Sequence, residues 1–389
     1  MQLEQVIPAS SGASLGANGP TDATNTTDAT SERRDNFMSP VSSETQESFV
    51  PFLRGLLQIN DLEIFPLAGD ASARKYFRVA SASESWVLMS WEPFKNDGNY
   101  PFLSVRDHFA KHDVSVPQVI GMDPEKGLVL LEDLGDLTLE RKFWENQSQK
   151  MSLPFYKATI DELIKMHYPS TFDHDGCVAF KVAFDVEKLL WELNYGREHL
   201  LDGVCKLKLS ELERREMDRI FTDICQKLHA EPKFIAHRDY HSRNVMLKLG
   251  KVRIIDFQDA RMGAVQYDLV SLLRDSYVAM EEPIARELIG YYLDRRHEMK
   301  QLSDASGRLV DVSIEKFMHV YELQTIQRCF KACGSFSSFY NLRDDTRYLK
   351  YIAPTLQTVK RSLASFEEYR PFYNILNDNG LFEMTFEQP

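Results

Sequence analysis

Residues 237–244 read HRDYHSRN and residues 255–260 read IDFQDA. Between them lie two short apolar runs, VMLKL and KVRI, divided by a Gly-Lys turn at 250–251. Apolar runs around a turn signal predict a β-hairpin. That hairpin would fold Asp256 back beside Asn244. Transfer of a γ-phosphoryl group to a hydroxyl asks for three things: a group to receive the hydroxyl proton, metal ions to take up phosphate charge, and accurate placement. Asp239 offers a carboxylate that can face an acceptor hydroxyl. Asn244, five residues on, offers an amide oxygen, and Asp256, twelve further, closes the apolar run with a second carboxylate. Oxygen ligands suit Mg2+, a hard ion. His-x-Asp alone is a common pattern; with Asn at this spacing and IDF at hairpin distance it becomes a specific one. The bland alternative makes Asp239 a turn cap and Asp256 an ion-pair partner, and the helix-before, hairpin-after context disfavours it. Asp239 is therefore read as the catalytic base, Asn244 and Asp256 as metal ligands, and His237 as a brace for the loop.

Upstream, LEIFPLAG (62–69), KYFRVAS (75–81) and SWVLMSW (85–91) read as strands. PFLSVRDHFAKHDV (101–114) reads as a helix opened by Pro101, with VIGM (119–122) and GLVLLEDLG (127–135) as two more strands. After Gly135 the period becomes helical. FYKATIDELIKMH places Phe155, Thr159, Ile160, Leu163, Ile164 and His167 on one face, and EMDRIFTDICQKLH does the same with Met217, Ile220, Phe221, Ile224, Cys225 and Leu228. Helices dominate from Tyr267 onward, where Asp268 reads as a helix N-cap. The fold class is α+β, with a small β-rich N-lobe and a larger helical C-lobe. Residues 1–46 are polar and aperiodic and read as a disordered tail, 47–131 as the nucleotide-binding N-lobe, and 132–389 as a connector plus helical lobe.

The chain has 389 residues and a formal net charge of −12, which disfavours nucleic acid and anionic membrane surfaces as partners. A local basic cleft could still bind one nucleotide. No apolar run is long enough for a membrane helix, and no secretory signal pattern opens the chain. The five cysteines form no CxxC pair and read as buried free thiols. These features point to a cytoplasmic enzyme without an obligate protein partner.

Three flanking segments carry candidate binding residues. In GDASARKYFR (69–78), Gly69, Asp70, Ala71 and Ser72 form a small-residue turn that can bring backbone N–H groups to phosphate. Arg74 and Arg78 follow on one strand face. An ordinary hairpin turn is the competing reading. LLEDLGD (130–136) joins the two lobes, and its backbone around Glu132 and Leu134 would meet adenine. QTIQRCFKACGSF (324–336) places Gln324, Gln327, Arg328 and Lys331 at helical spacing and, with Arg274 of RDSY (274–277), could line an acceptor pocket; a solvated helix face is the alternative.

These pieces together resemble the aminoglycoside phosphotransferase family, small-molecule kinases with a protein-kinase-like fold. The resemblance runs from about Ser48 to near Leu363. Within that family it is most similar to the anomeric N-acetylmuramate/N-acetylglucosamine kinases of bacterial cell-wall recycling, on GDASARKYFRV, LLEDLGD, HRDYHSRNVM, IDFQDA, YDLVSLLRDSY and IQRCFKACGSF. The resemblance implies ATP and Mg2+ as cofactors and a sugar C1 hydroxyl as acceptor. It implies Asp239 as base, Asn244 and Asp256 on metal, the Gly69–Ser72 turn over the phosphates and Glu132–Leu134 against adenine. Arg274, Gln327, Arg328 and Lys331 fall on the substrate side. The chain lacks the third-strand lysine of protein kinases: WVLMSW carries Met89 and Ser90 there. Arg74 or Arg78 is then the candidate phosphate cation. Ala73 and the serine-rich GSFSSF also depart from the sugar-kinase pattern and put the exact sugar in doubt. Other hydroxylated acceptors such as aminoglycosides, choline or a ketosamine remain the competing substrate reading. A nucleotide-binding scaffold without catalysis is the competing class, opposed by the intact Asp239, Asn244 and Asp256.

Overall fold

The computed structural model describes residues 43–67, 74–299 and 313–386. Nearly all of the stretch read as a tail lies outside them, as does the Gly69, Asp70, Ala71, Ser72 turn. Helix α1 (Ser43–Leu57) includes residues 43–46, which the sequence reading places in the tail.

Five antiparallel strands form one sheet in the order β1-β2-β3-β5-β4. They are β1 (Glu63–Leu67), β2 (Lys75–Ala80), β3 (Ser85–Ser90), β4 (Val119–Asp123) and β5 (Leu128–Glu132). Alternation of side chains sends Ile64, Phe77, Val79, Trp86 and Leu88 to one face, against Phe49 and Leu53 of α1. Met89, Val129 and Leu131 face the other way into a core shared with the helical lobe. Helix α2 (Pro101–Lys111) joins that core through Phe102, whose ring lies 5.2 Å from that of Phe257. Met89 pairs with Tyr76 in the ladder and is fully buried, so the missing lysine is replaced by an apolar side chain inside the core.

Next come α3 (Leu139–Glu145), α4 (Leu153–His167), α5 (Pro169–Phe172), α6 (Val186–Gly196) and α7 (Glu211–Ala230). The apolar face expected for α7 is the buried one, and Ser210 with Glu213 closes a capping box at its start. Strand β6 (Phe234–Ala236) then pairs with β9 (Arg261–Gly263), and β7 (Val245–Lys248) with β8 (Lys251–Ile254). The chain ends in α8 (Gln266–Leu273), α9 (Glu282–Glu298), α10 (Ile314–Arg343), α11 (Ile352–Leu363) and α12 (Arg370–Asp378). Helix α10 is buried along most of its length. It crosses α6 closely because Gly334 meets Gly196: a Cβ on Gly334 would fall 2.4 Å from the Gly196 Cα. The five cysteines are free, four buried and Cys205 half-buried. No helix among the described residues is long and apolar enough to cross a membrane.

Candidate active site

The β7–β8 hairpin forms as expected. The Ile255 N–H donates to the Asn244 carbonyl at 3.1 Å, which sets Asp256 beside Asn244. The Asn244 amide Nδ2 donates to the Asp239 carbonyl at 2.9 Å and reaches the Asp256 Oδ2 at 3.3 Å. Its amide oxygen accepts no hydrogen bond from the described residues. Asp256 has φ +65°, a left-handed conformation that a non-glycine residue adopts only when its surroundings hold it there. Gln258 is one such hold, donating to the Asp256 Oδ1 at 2.7 Å. Burial, together with the nearby charges of Asp239 and Asp259, pushes the Asp256 carboxyl above the usual range.

Asp239 sits in the opposite environment. Burial would raise its carboxyl, but Lys331, Arg238, His241 and Arg328 outweigh that and hold it well below the usual range. The Lys331 Nζ is 4.0 Å from its Oδ1 and the Arg238 Nε 3.9 Å from its Oδ2. Burial also pushes His241 down to about 3, leaving it neutral.

Three anchors fix the loop, two of them buried carboxylates. Asp268 was expected to cap α8, but the N-cap position is Val265 and Asp268 stands inside the helix, fully buried. Its carboxylate accepts the backbone N–H of His237 at 2.6 Å and of Arg238 at 3.0 Å. Arg238 has φ +86°, and these bonds hold it. Asp275 accepts from the Ser242 N–H at 2.8 Å and the Ser242 hydroxyl at 2.5 Å. Arg243 makes a two-pronged pair with Glu140 at 2.8 and 3.0 Å and lies 3.7 Å over the Tyr277 ring. His237 acts as the brace the sequence suggests, its Nε2 lying 2.9 Å from the Ile255 carbonyl.

The other expected residues divide. Lys331 and Arg328 of α10 converge on Asp239. Gln327 lies behind them, fully buried, donating to Glu192 at 2.9 Å and accepting from Gln324 at 2.7 Å. Arg274 does not join: it follows the last residue of α8 and makes a two-pronged pair with Glu282 at 2.8 and 3.0 Å. Arg78 is likewise held away from a phosphate role. Its guanidinium bridges Asp133 and Asp136 with four contacts of 2.8–3.2 Å, locking β2 to the connector. Arg74 lies 5.5 Å over Trp91 and its charge acts on Tyr76, which also feels Asp256.

At the connector, the Glu132 N–H donates to the Gln118 carbonyl at 2.9 Å and the Asp133 carbonyl accepts from Lys248 at 2.8 Å. The Leu134 N–H and carbonyl pair with no other described residue. A cavity of about 650 Å³ opens here, lined by Trp86, Gln118, Glu132, Leu134, Asp136 and Lys248. None of Asp239, Asn244 or Asp256 lines it.

Sequence reasoning missed Gln258, Asp275, Glu140 and Glu192. Gln258 and Asp275 lay inside quoted motifs, IDFQDA and RDSY, and could have been weighed there. The other two carry no local pattern.

The phosphotransferase enzyme family model matches residues 63–302. An N-acetylmuramate/N-acetylglucosamine kinase of Neisseria meningitidis serogroup B is 29% identical over 316 residues, covering 81% of this chain and 90% of that protein. A kinase of the same name from Pseudomonas aeruginosa is 27% identical over 75% of this chain and 81% of that one. Among solved structures, a choline kinase from Streptococcus pneumoniae aligns with a TM-score of 0.54 at 13% identity, covering 83% of this chain and all of that one, a likeness of fold. The family match runs from the first strand through the catalytic-loop hairpin to the helices that anchor it, across more than half of the chain, and the protein belongs to the phosphotransferase enzyme family.

Proposed function

We propose that the chain is an ATP- and Mg2+-dependent sugar kinase that phosphorylates the anomeric C1 hydroxyl of N-acetylmuramate, N-acetylglucosamine or both. The observation that carries the reading is the convergence of Asp239, Asn244 and Asp256 through the β7–β8 hairpin. The choice of sugar follows the names of the relatives, which this chain spans for most of their length.

In this reading the sugar C1 oxygen attacks the γ-phosphorus, the bond to the ADP oxygen breaks, and the hydroxyl proton passes to Asp239. The cations around Asp239 keep it ionised but make it a weak base. An anomeric hydroxyl is more acidic than an ordinary alcohol, and a loose transition state takes its proton late, so orientation matters more than basicity. The Asn244 amide oxygen and the Asp256 carboxylate fit a hard cation: one lacks a partner, and the other carries the charge of two neighbouring carboxylates. Mg2+ commonly takes only one or two protein oxygens and completes its shell with phosphates and water, which agrees with the absence of a larger ligand cluster among the described residues. Bound there, it would neutralise phosphate charge. The Leu134 backbone would meet adenine, the Gly69–Ser72 turn would cover the phosphates, and Arg74, whose charge acts on Tyr76 near Asp256, is the phosphate cation in this reading.

The test is direct. Protein, ATP and Mg2+ are incubated with each sugar, and phosphorus NMR locates the product phosphate. An anomeric phosphate supports the proposal; phosphate on another hydroxyl, or none, rejects it. Asp239→Asn should lower kcat by roughly 10²–10⁴-fold, the usual worth of a positioned base, while ATP still binds. Retained turnover would remove Asp239 from the base role.

A further inference from the structure

Five cations cluster around Asp239 and Glu192 in a chain of net charge −12: Lys331, Arg238 and Arg328 act on Asp239, and Lys188 and Arg261 lie near Glu192 and Arg238. Topology brings them together. The bridge of Ala183 to Met262 and the Phe184 N–H to Met262 carbonyl bond at 2.8 Å dock the chain before α6 on β9. Arg261 of β9 then lies 5.3 Å over the Phe184 ring, and Lys188 of α6 sits one turn beyond, its Nζ 3.7 Å over Trp191. Arg328 and Lys331 enter from α10.

Their carboxylate partners are too few. Arg238 pairs with Asp259 at 2.5 Å, and Lys331 approaches Asp239 at 4.0 Å. Lys188, Arg261 and Arg328 have no carboxylate within ion-pair distance among the described residues. Arg261 donates only to the Asp259 backbone carbonyl, at 3.2 Å. Arg328 is 6% exposed, lies 5.9 Å from the Tyr267 ring centre, and its Nε is buried without a partner. Two further anions are buried and already engaged: Glu192 accepts from Tyr267 and Gln327, and Asp275, near Arg328, accepts from Ser242 and the Tyr277 N–H. Formally, five positive charges face four negative ones. Mutual repulsion and burial push Lys188 and Arg261 below their ordinary ranges. A buried guanidinium without an acceptor is costly unless a ligand provides one, and an anion provides the strongest kind.

Building on the sugar-kinase reading, we propose that Lys188, Arg261 and Arg328 form a carboxylate-reading subsite that selects an anionic sugar over its neutral counterpart. Of the two sugars named above, only N-acetylmuramate carries such a group, a lactyl carboxylate on its C3 oxygen. The nucleotide's phosphates are the competing anion. Against them stands the position of the surplus: the strongest influences on Asp256 are burial, Gln258, His237, Asp239 and Asp259, and none of these three cations is among them. Arg328 acts on Asp239, while Lys188 and Arg261 lie by Glu192, which Gln327 and Tyr267 tie to the Arg328 end of the cluster, on the acceptor side. The same surplus repels a cationic acceptor.

The test compares kcat/KM for N-acetylmuramate, its lactyl carboxamide and N-acetylglucosamine in the wild type, Lys188→Met and Arg261→Met. The wild type should prefer carboxylate to carboxamide by roughly tenfold or more, and each variant should lose most of that preference, as coupled ion pairs do. Both sugars are measured on the same protein, so partial loss of folded enzyme cancels in the ratio. A wild type indifferent to the carboxylate overturns the proposal, as do variants that slow both sugars equally. A raised ATP KM with intact sugar preference assigns the cations to the nucleotide and also overturns it. Turnover of neither sugar sinks the sugar-kinase reading as well; equal turnover of all three sinks the subsite alone.

Discussion

Asp268→Asn separates two accounts of one residue. As an N-cap, Asp268 could become Asn at almost no cost, because the two cap equally well. In the fold its carboxylate instead accepts two backbone N–H groups, from His237 at 2.6 Å and Arg238 at 3.0 Å, with no solvent access. An amide has only one acceptor oxygen. The other N–H would face the Asn NH₂, donor against donor. One charge-assisted bond is lost and a buried donor is stranded, a loss of about 2–4 kcal/mol. For a chain of this size that corresponds to a fall in Tm of roughly 3–6 °C. Function should suffer more than stability. Arg238 is held at φ +86°, and its neighbour is Asp239. If the hold weakens, Asp239 shifts, and a displacement of about 1 Å commonly costs on the order of 10²-fold in kcat. Thermal unfolding and steady-state kinetics on the purified variant read both effects, with ATP KM expected to move less than kcat. A midpoint within about 1 °C of wild type together with kcat within about twofold would match a simple cap and refute the anchoring argument.

Four further substitutions probe other parts of the fold. Arg78→Met removes both ion pairs that tie β2 to the connector and leaves Asp133 without its cation, so a loss of about 1–3 kcal/mol and a several-fold rise in ATP KM are expected; unchanged values in both would show that the connector needs no brace. Arg243→Lys keeps the charge but cannot reproduce the fork on Glu140 or the contact with Tyr277, and kcat should fall roughly tenfold with little change in unfolding midpoint; wild-type kcat would mean the loop is held without it. Gly334→Ala presses a methyl group against the Gly196 backbone and should destabilise by about 1–3 kcal/mol. Gly290→Ala, in α9 with open space around it, should be neutral or stabilise by up to about 1 kcal/mol; equal effects at the two glycines would contradict the close crossing.

Much of the site was legible because its residues are close in sequence. Asp239, Asn244 and Asp256 lie on one loop and one hairpin, and local turn chemistry is enough to bring them together. The strands showed by alternation, and the buried face of α7 showed by its period. Two arginines were misplaced for a common reason. Arg78 and Arg274 sit where cations were wanted, but their partners, Asp133 with Asp136 and Glu282, were decided by which surfaces meet. Asp268 was misread because an acidic residue near a helix start looks like a cap whether it points along the helix or across it.

The sequence by itself determined the two-lobe organisation, the phosphotransfer signature and the absence of the third-strand lysine. Short-range patterns of turn residues and hydrophobic period encode those directly. Tertiary structure alone decided what surrounds the signature. Lys188, Arg261 and Arg328 come from α6, β9 and α10, and no spacing links them. Their elements adjoin because β9 docks against the chain before α6 while α10 crosses α6 at Gly196 and Gly334. Charge acts through space, so a chain acidic overall can still gather cations beside Asp239.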